Sequence, residues 1–246
     1  MEKSTLKGPS AVLGGLIALG LIISVAIWAY TFYRIQLFSG SLSVTGSAKT
    51  DVVSDQVKWV MGISRQVPQS QLSFGYDQMA ADLVLVNKFL ASHNVDLNAV
   101  TVSPISMDEV YDYGKDTSNT EKRYNLRQTI TYSSSDVQGV TAMTKDASNL
   151  ARNGVIFQTQ SLEYYYSKLP DLRVSLLADA IKDAKARAAK LAEPSGQTVG
   201  PLKAASLGVV QVLAPNSIEI SDYGAYDTSN INKEVMVTVR ASFAIR

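Results

Sequence analysis

The side chains able to do covalent or acid–base chemistry are few. The chain of 246 residues has no cysteine, which removes thiolate nucleophiles, disulfides and Cys-ligated zinc. The one histidine, His93, would have to carry every imidazole-dependent step. It follows a long apolar-periodic segment and stands beside Asn94 with no identifiable partner, so a capping or surface role is expected rather than general-base work. Asp179 and Asp183 lie one helical turn apart, as paired carboxylates would. Lys182, Lys185, Arg187 and Lys190 share that segment, and Asp183 with Arg187 is an i,i+4 pair worth only tenths of a kcal/mol, so a solvated helix face is the expected reading. Ser4 and Lys7 match a Ser-x-x-Lys spacing, but in a short tail ahead of an apolar run, with no pocket to hold them. Gly196 and Gly200 are not followed by Gly-Lys-Ser/Thr and read as a helix end rather than a phosphate loop. Two loops repeat a pattern: Asp112-Tyr113-Gly114 leading to Asp116-Thr117-Ser118-Asn119, and Asp222-Tyr223-Gly224 leading to Asp227-Thr228-Ser229-Asn230. Their oxygens lack the Asp-x-Asp-x-Asp-Gly spacing and later Glu of a calcium loop, and such residues make hairpin turns by themselves. No catalytic residue, cofactor or metal is expected, and the chain reads as not an enzyme.

What these residues sit on follows from patterning. Net charge is +1, with 46% hydrophobic and 18% charged residues, a globular composition with no electrostatic case for nucleic acid. The basic residues of the Asp171–Ala192 region are offset by acidic neighbours and have no interleaved aromatics for base stacking.

From Gly8 to Tyr33 no residue is charged. About 20 apolar helical residues span a hydrocarbon core of about 30 Å. Trp28, Tyr30 and Tyr33, followed by Arg34, form an aromatic and basic end suited to a membrane–water interface. Lys3 and Lys7 on the other side favour a cytoplasmic N-terminus by the positive-inside bias. A cleaved signal peptide is the competing reading, with Ser39-Gly40-Ser41 as its cleavage site. Its apolar region would normally be about 7–15 residues long, and this run is longer and ends in bulky aromatics. The expected organisation is a tail (1–10), a transmembrane anchor (11–33), a short linker (34–41) and one domain (42–246).

Within that domain, Leu42, Val44 and Gly46, then Val57, Trp59, Met61 and Ile63, alternate as strands do, with a turn expected at Lys49-Thr50-Asp51. Leu72, Tyr76, Met79, Leu83, Val86 and Leu90 recur at helical spacing. Val100–Val110 and Tyr124–Tyr132 read as strands, Val137–Arg152 as a helix ended by Asn153-Gly154, and Val155–Tyr166 as a strand. Asp171–Ala192 is the clearest helix, with Leu172, Leu176, Leu177, Ile181, Ala184, Ala188 and Leu191 as its buried stripe, Pro170 at its start and Pro194-Ser195-Gly196 at its end. Leu202–Leu213 and Val235–Ile245 close the chain as strands. The expected fold class is therefore α+β: antiparallel or mixed sheets, two long amphipathic helices, and two related helix–strand–loop–strand units marked by the repeated loops, besides the N-terminal transmembrane helix.

The stretch from Tyr132 to Val209 resembles the bacterial SIMPL-domain family. The resemblance rests on Thr131-Tyr132, Val137 through Leu150, Asn153-Gly154, the run from Leu177 to Ala188, Leu191-Ala192 to Gly196, and Val199-Gly200. Val44-Thr45-Gly46-Ser47-Ala48 is similar to the family's first strand, which extends the resemblance to about Leu42–Arg246. It implies an exported or anchored α+β domain, some relatives assembling into large rings, and no catalytic residue to carry over. Many relatives resemble plain secreted proteins, whereas this chain keeps an anchor-like segment. With it comes the expectation of a single-pass protein of a bacterial inner membrane, its N-terminus cytoplasmic and its domain periplasmic. The partners expected are membrane lipid and further copies of the chain in a homo-oligomer with a scaffold or envelope-associated role. Tyr111, Tyr113, Tyr223 and Tyr226 are the candidate contact residues, because tyrosine buries area and keeps a hydrogen-bonding tip; packing inside the monomer is the other reading. The alternative function is a binding module that senses a small molecule or an envelope component, with no ligand specified.

Overall fold

The structure is a computed structural model that describes residues 9–37, 40–111, 121–217 and 221–246. A long helix α1 (Pro9–Leu37) precedes β1 (Ser41–Val53) and β2 (Gln56–Pro68). Then come α2 (Leu72–Ser92), β3 (Val100–Val102), β4 (Ser106–Glu109), β5 (Arg123–Ser134), α3 (Val137–Asp146) and α4 (Ser148–Arg152). The chain ends with β6 (Phe157–Tyr165), α5 (Leu169–Ala192), β7 (Val199–Leu207), β8 (Gln211–Leu213) and β9 (Asn232–Ile245). The strands form a four-stranded sheet ordered β1-β9-β7, with β8 also on β9, and a five-stranded sheet ordered β3-β5-β2-β6, with β4 also on β5. The fold is α+β, as the patterning predicts. The chain divides into two compact units, one of residues up to 48, 175–208 and 237–246, the other of 49–174 and 209–236.

The second unit is built on β2. Val57, Trp59, Met61 and Ile63 alternate inward and are buried, since every second residue of a strand faces one side. Helix α2 lays Met79, Val86 and Leu90 on that face, joined by Leu126 and Ile130 of β5 and by Val140, Met143 and Leu150 from α3 and α4. Gly75 sets how closely α2 approaches: a Cβ there would come 2.9 Å from Val67 and 3.0 Å from Leu126. A charged group sits in the same stripe. Asp82 is 3% exposed, and its carboxylate accepts two hydrogen bonds of 2.7 Å from the Arg65 guanidinium. The same guanidinium donates to the carbonyl of Gly154, which holds a left-handed φ of 81° at the turn after α4. One arginine therefore pins a strand, a helix and a turn, and the bidentate geometry compensates the carboxylate for its lost water.

The first unit uses small residues instead. Ala180, Ala184, Ala188 and Ala192 of α5 are buried, and Gly46 of β1 lies so close to them that a Cβ would stand 2.2 Å from the Ala180 carbonyl oxygen. Val237, Val239, Ala241, Phe243 and Ala244 are the buried residues of β9 in this unit. Asp183, next to Ala184, accepts the backbone N–H of Ser47 at 2.8 Å and pairs with Arg187.

Several expected elements are cut differently. There is no turn at Lys49-Thr50-Asp51: β1 runs on to Val53, the strands are separated only by Ser54-Asp55, and β1 and β2 enter different sheets. The Val100–Val110 strand is broken at Ser103-Pro104-Ile105, where Pro104 has no N–H to give a ladder. The Val137–Arg152 helix is broken at Ala147, and the Leu202–Leu213 strand at Gly208-Val209-Val210. On the helices, Tyr76 and Leu191 are 41% and 61% exposed, so the buried stripe of α5 is carried by Leu176 and the alanines rather than by its last leucine.

The strand pairing repeats along the chain, while the first of the two similar loops, residues 112–119, lies outside the described residues. Strands β3 and β4 both pair antiparallel with β5, at Tyr132–Ile130 and Arg127–Tyr124. In the same order, β7 and β8 both pair antiparallel with β9, at Ile245–Val239 and Met236–Glu234. Each copy of the pattern is a long helix, a strand broken in two, and a long strand that receives both pieces.

Candidate functional sites in the apolar helix and the tyrosine loops

Helix α1 is apolar all round. Leu13–Tyr33 has a mean hydropathy of 2.1 and none of it is buried in the protein. At about 1.5 Å per residue those 21 residues reach about 30 Å, a hydrocarbon thickness. Trp28, Tyr30 and Tyr33 are 69%, 65% and 62% exposed, and Trp28 stacks on Phe32 with centroids 5.6 Å apart. Arg34 belongs to the same helix, its side chain outside the described residues. An apolar surface of this extent with no protein against it requires lipid or another apolar cover. The helix is long and apolar enough for a single-pass anchor or a signal sequence.

The four loop tyrosines divide. Tyr223 is 97% and Tyr111 70% exposed; Tyr113 lies outside the described residues. Tyr226 is 38% exposed, and its hydroxyl accepts the N–H of Tyr166 while its ring lies 5.9 Å from that of Tyr165. Tyr226 thus straps its loop down within the chain. The neighbouring Tyr164 is buried, its hydroxyl 2.9 Å from that of Thr141.

The loop around Tyr226 is held from several sides. Val212 donates to Ala225 O, Asp227 donates to Val212 O, and Tyr164 donates to Thr228 O. The Gln211 amide brackets the turn, its oxygen accepting from Ala225 and its nitrogen donating to Ser221 O. Asp227 closes an Asx turn by accepting from Ser229 and Asn230. Beneath them Lys233, with no exposed side-chain surface, donates to the carbonyls of Asp227 and Asn230. Burial pushes the Lys233 ammonium down from its ordinary range, partly offset by Asp227. For Asp227, burial pushes the carboxyl up, but the Asn230 and Ser229 hydrogen bonds and Lys233 outweigh it and hold the group low. Sequence reasoning missed Lys233. The available signal was its phase: it alternates with Val235, Val237 and Val239, all buried, so a lysine stands in a core position and needs partners.

Next to that loop, the Glu163 carboxylate accepts from Tyr165 and Ser161 and lies 3.6 Å from Lys58. The carboxylate pushes the Tyr165 phenol up to about 12, so at neutral pH this phenol is a donor rather than a base. Asp179 pairs with Lys182 and Asp183 with Arg187, each carboxylate bound to its own cation. Among the described residues no three His, Cys, Asp or Glu side chains come together as metal ligands. His93 is the residue that ends α2, and Gly196, at φ 69°, turns the chain after α5.

No curated protein was found to match the chain. A family model does match, over residues 42–243, and its description is the SIMPL domain, a protein of unknown function, DUF541. That match covers both copies of the repeated topology and most of the chain, and the chain belongs to the SIMPL family.

Proposed function

We propose that this protein is a membrane-tethered SIMPL domain that works without catalysis, as a self-assembling scaffold in a bacterial cell envelope. The observation that carries the reading is α1: a helix apolar on every side, none of it covered by the protein, a few residues ahead of the first strand. A helix lodged in lipid confines every copy to one plane and raises the effective concentration of its neighbours, so that modest contacts suffice for assembly. The flat, exposed Tyr111 and Tyr223 offer such contacts. The positive-inside bias of Lys3 and Lys7 supports a cytoplasmic N-terminus and a domain on the far side of the inner membrane.

The test uses the full chain. Membranes carrying it are washed with alkaline carbonate, and the detergent-extracted protein is sized by light scattering and viewed by electron microscopy. Retention in the membrane pellet and a uniform multiple of the monomer mass are expected. Release by carbonate overturns the tether; monomers across a wide concentration range overturn the assembly.

A further inference from the structure

We infer that the end of the first unit that follows α1 docks on anionic lipid headgroups; the inference rests on the reading of α1 as a retained tether. Only residues 38–40 separate Leu37 from Ser41, a span of at most about 10 Å. With Leu13–Tyr33 in the hydrocarbon, the last turn of α1 crosses a headgroup layer about 5–7 Å deep. Gly40 then lies within about 10 Å of the phosphates, roughly one Debye length. Contacts fix what stands beside Gly40. Its carbonyl accepts from the N–H of Ile245 and from Lys203 Nζ at 3.2 Å. Arg246 exchanges backbone hydrogen bonds with Thr198, and Gln197 donates to the Ala192 carbonyl at the end of α5. Lys185 and Lys190 line one groove with Gly196, Thr198 and Val199.

The charge of this end matches an anionic surface. Beyond α1, the first unit has seven basic and three acidic residues, whereas the second has 13 basic and 18 acidic. A chain close to neutral as a whole thus keeps its positive surplus in the unit that the tether holds at the membrane. Asp179, Asp183 and Glu193 pair with Lys182, Arg187 and Lys190. The surplus is therefore Lys185, Lys203, Arg240 and Arg246, and all but Arg240 belong to the end beside Gly40. Leu191 and Leu202, 61% and 44% exposed, adjoin Lys190 and Lys203 in the chain. Apolar tips among cations suit the boundary between headgroups and acyl chains.

The chain has no cysteine, so Gln197→Cys places a single fluorophore on this end. The labelled full chain is inserted, one copy per disc, into nanodiscs that carry a nitroxide-headgroup lipid. The discs are made of phosphatidylcholine alone or of phosphatidylcholine mixed with phosphatidylglycerol, and co-elution with the discs reports the tether. Quenching should be about twofold stronger in the anionic discs. That gain should vanish at about 1 M salt, where the Debye length is about 3 Å. The double variant Lys185→Gln, Arg246→Gln should lose most of the gain and remain folded, because both side chains are exposed. Equal quenching in the two kinds of disc overturns the docking and leaves the tether standing, since the chain is still held in both. A gain that persists at high salt or in the double variant also overturns the docking. A chain that enters neither disc overturns the tether, and the docking with it.

Discussion

The two compact units solve the same packing problem with opposite materials. The unit built on β2 fills its interior with volume: Trp59, Met61, Ile63, Met79, Leu90, Leu126 and Ile130 are all buried. The unit built on Gly46 and the alanines of α5 brings backbone against backbone, leaving no room for a Cβ at the contact. In the first material stability resides in atoms that can be removed. In the second it resides in space that can be invaded. Core truncation should therefore injure one unit most and core enlargement the other.

The largest effect is expected from Asp82→Ala. It leaves the Arg65 guanidinium partly buried without its carboxylate and should cost about 3–5 kcal/mol, read as a lowered urea midpoint by circular dichroism of the full chain in detergent. Trp59→Ala should be comparable at about 3–5 kcal/mol, because it empties the centre of the core and frees the Thr159 hydroxyl that the indole N–H now reaches at 3.1 Å. If either variant loses less than about 1 kcal/mol, the unit relies on something other than filled volume and this ion pair.

Enlargement sharpens the contrast from the other side. Ala184→Leu puts three extra carbon atoms where Gly46 already touches the helix, and should cost about 1–3 kcal/mol or more. Ala184→Gly should cost only about 1 kcal/mol, the helix-propensity difference, since little volume is lost. Equal costs for the two substitutions would mean that α5 can move away from β1, and the close-approach reading would fail.

What the sequence made legible follows the same division. Period-two alternation located β2 and β9 because their inner residues are large and apolar, and the charge-free run located α1. The α5 stripe was only half read: leucines advertise a buried face, whereas Ala180 and Ala192, which are buried, look like neutral helix formers. The breaks at Pro104, Ala147 and Gly208 carry weak local signals inside otherwise regular patterns. The separation of β1 and β2 into different sheets carries none, since a strand's own residues do not say which strand it will meet. Of the site, Tyr111 and Tyr223 stand on the surface in loops, as a search for contact residues would want. The ties that hold the second loop, through Lys233, Gln211 and Asp227, depend on long-range partners that no spacing reveals.

A smaller test probes how the alanine-lined unit guards its open strand. The N–H of Ser47, followed by the Arg187 guanidinium, holds the Asp183 carboxyl below its ordinary value. A carboxyl whose folded pKa lies below its unfolded value of about 3.9 stabilises the fold fully above that unfolded value. The contribution disappears as pH falls through the folded value. Asp183→Asn should therefore lower the urea midpoint slightly at neutral pH and flatten the acid limb of the stability curve, converging with the wild type once the pH falls below the folded value of the Asp183 carboxyl. The side chain is 33% exposed, so solvent screening keeps the effect small. A constant gap between the two curves from neutral to acid pH would assign Asp183 a packing role instead. The amide of asparagine can still accept the Ser47 hydrogen through its oxygen, so any difference that does titrate belongs to the charge and not to the shape of the side chain.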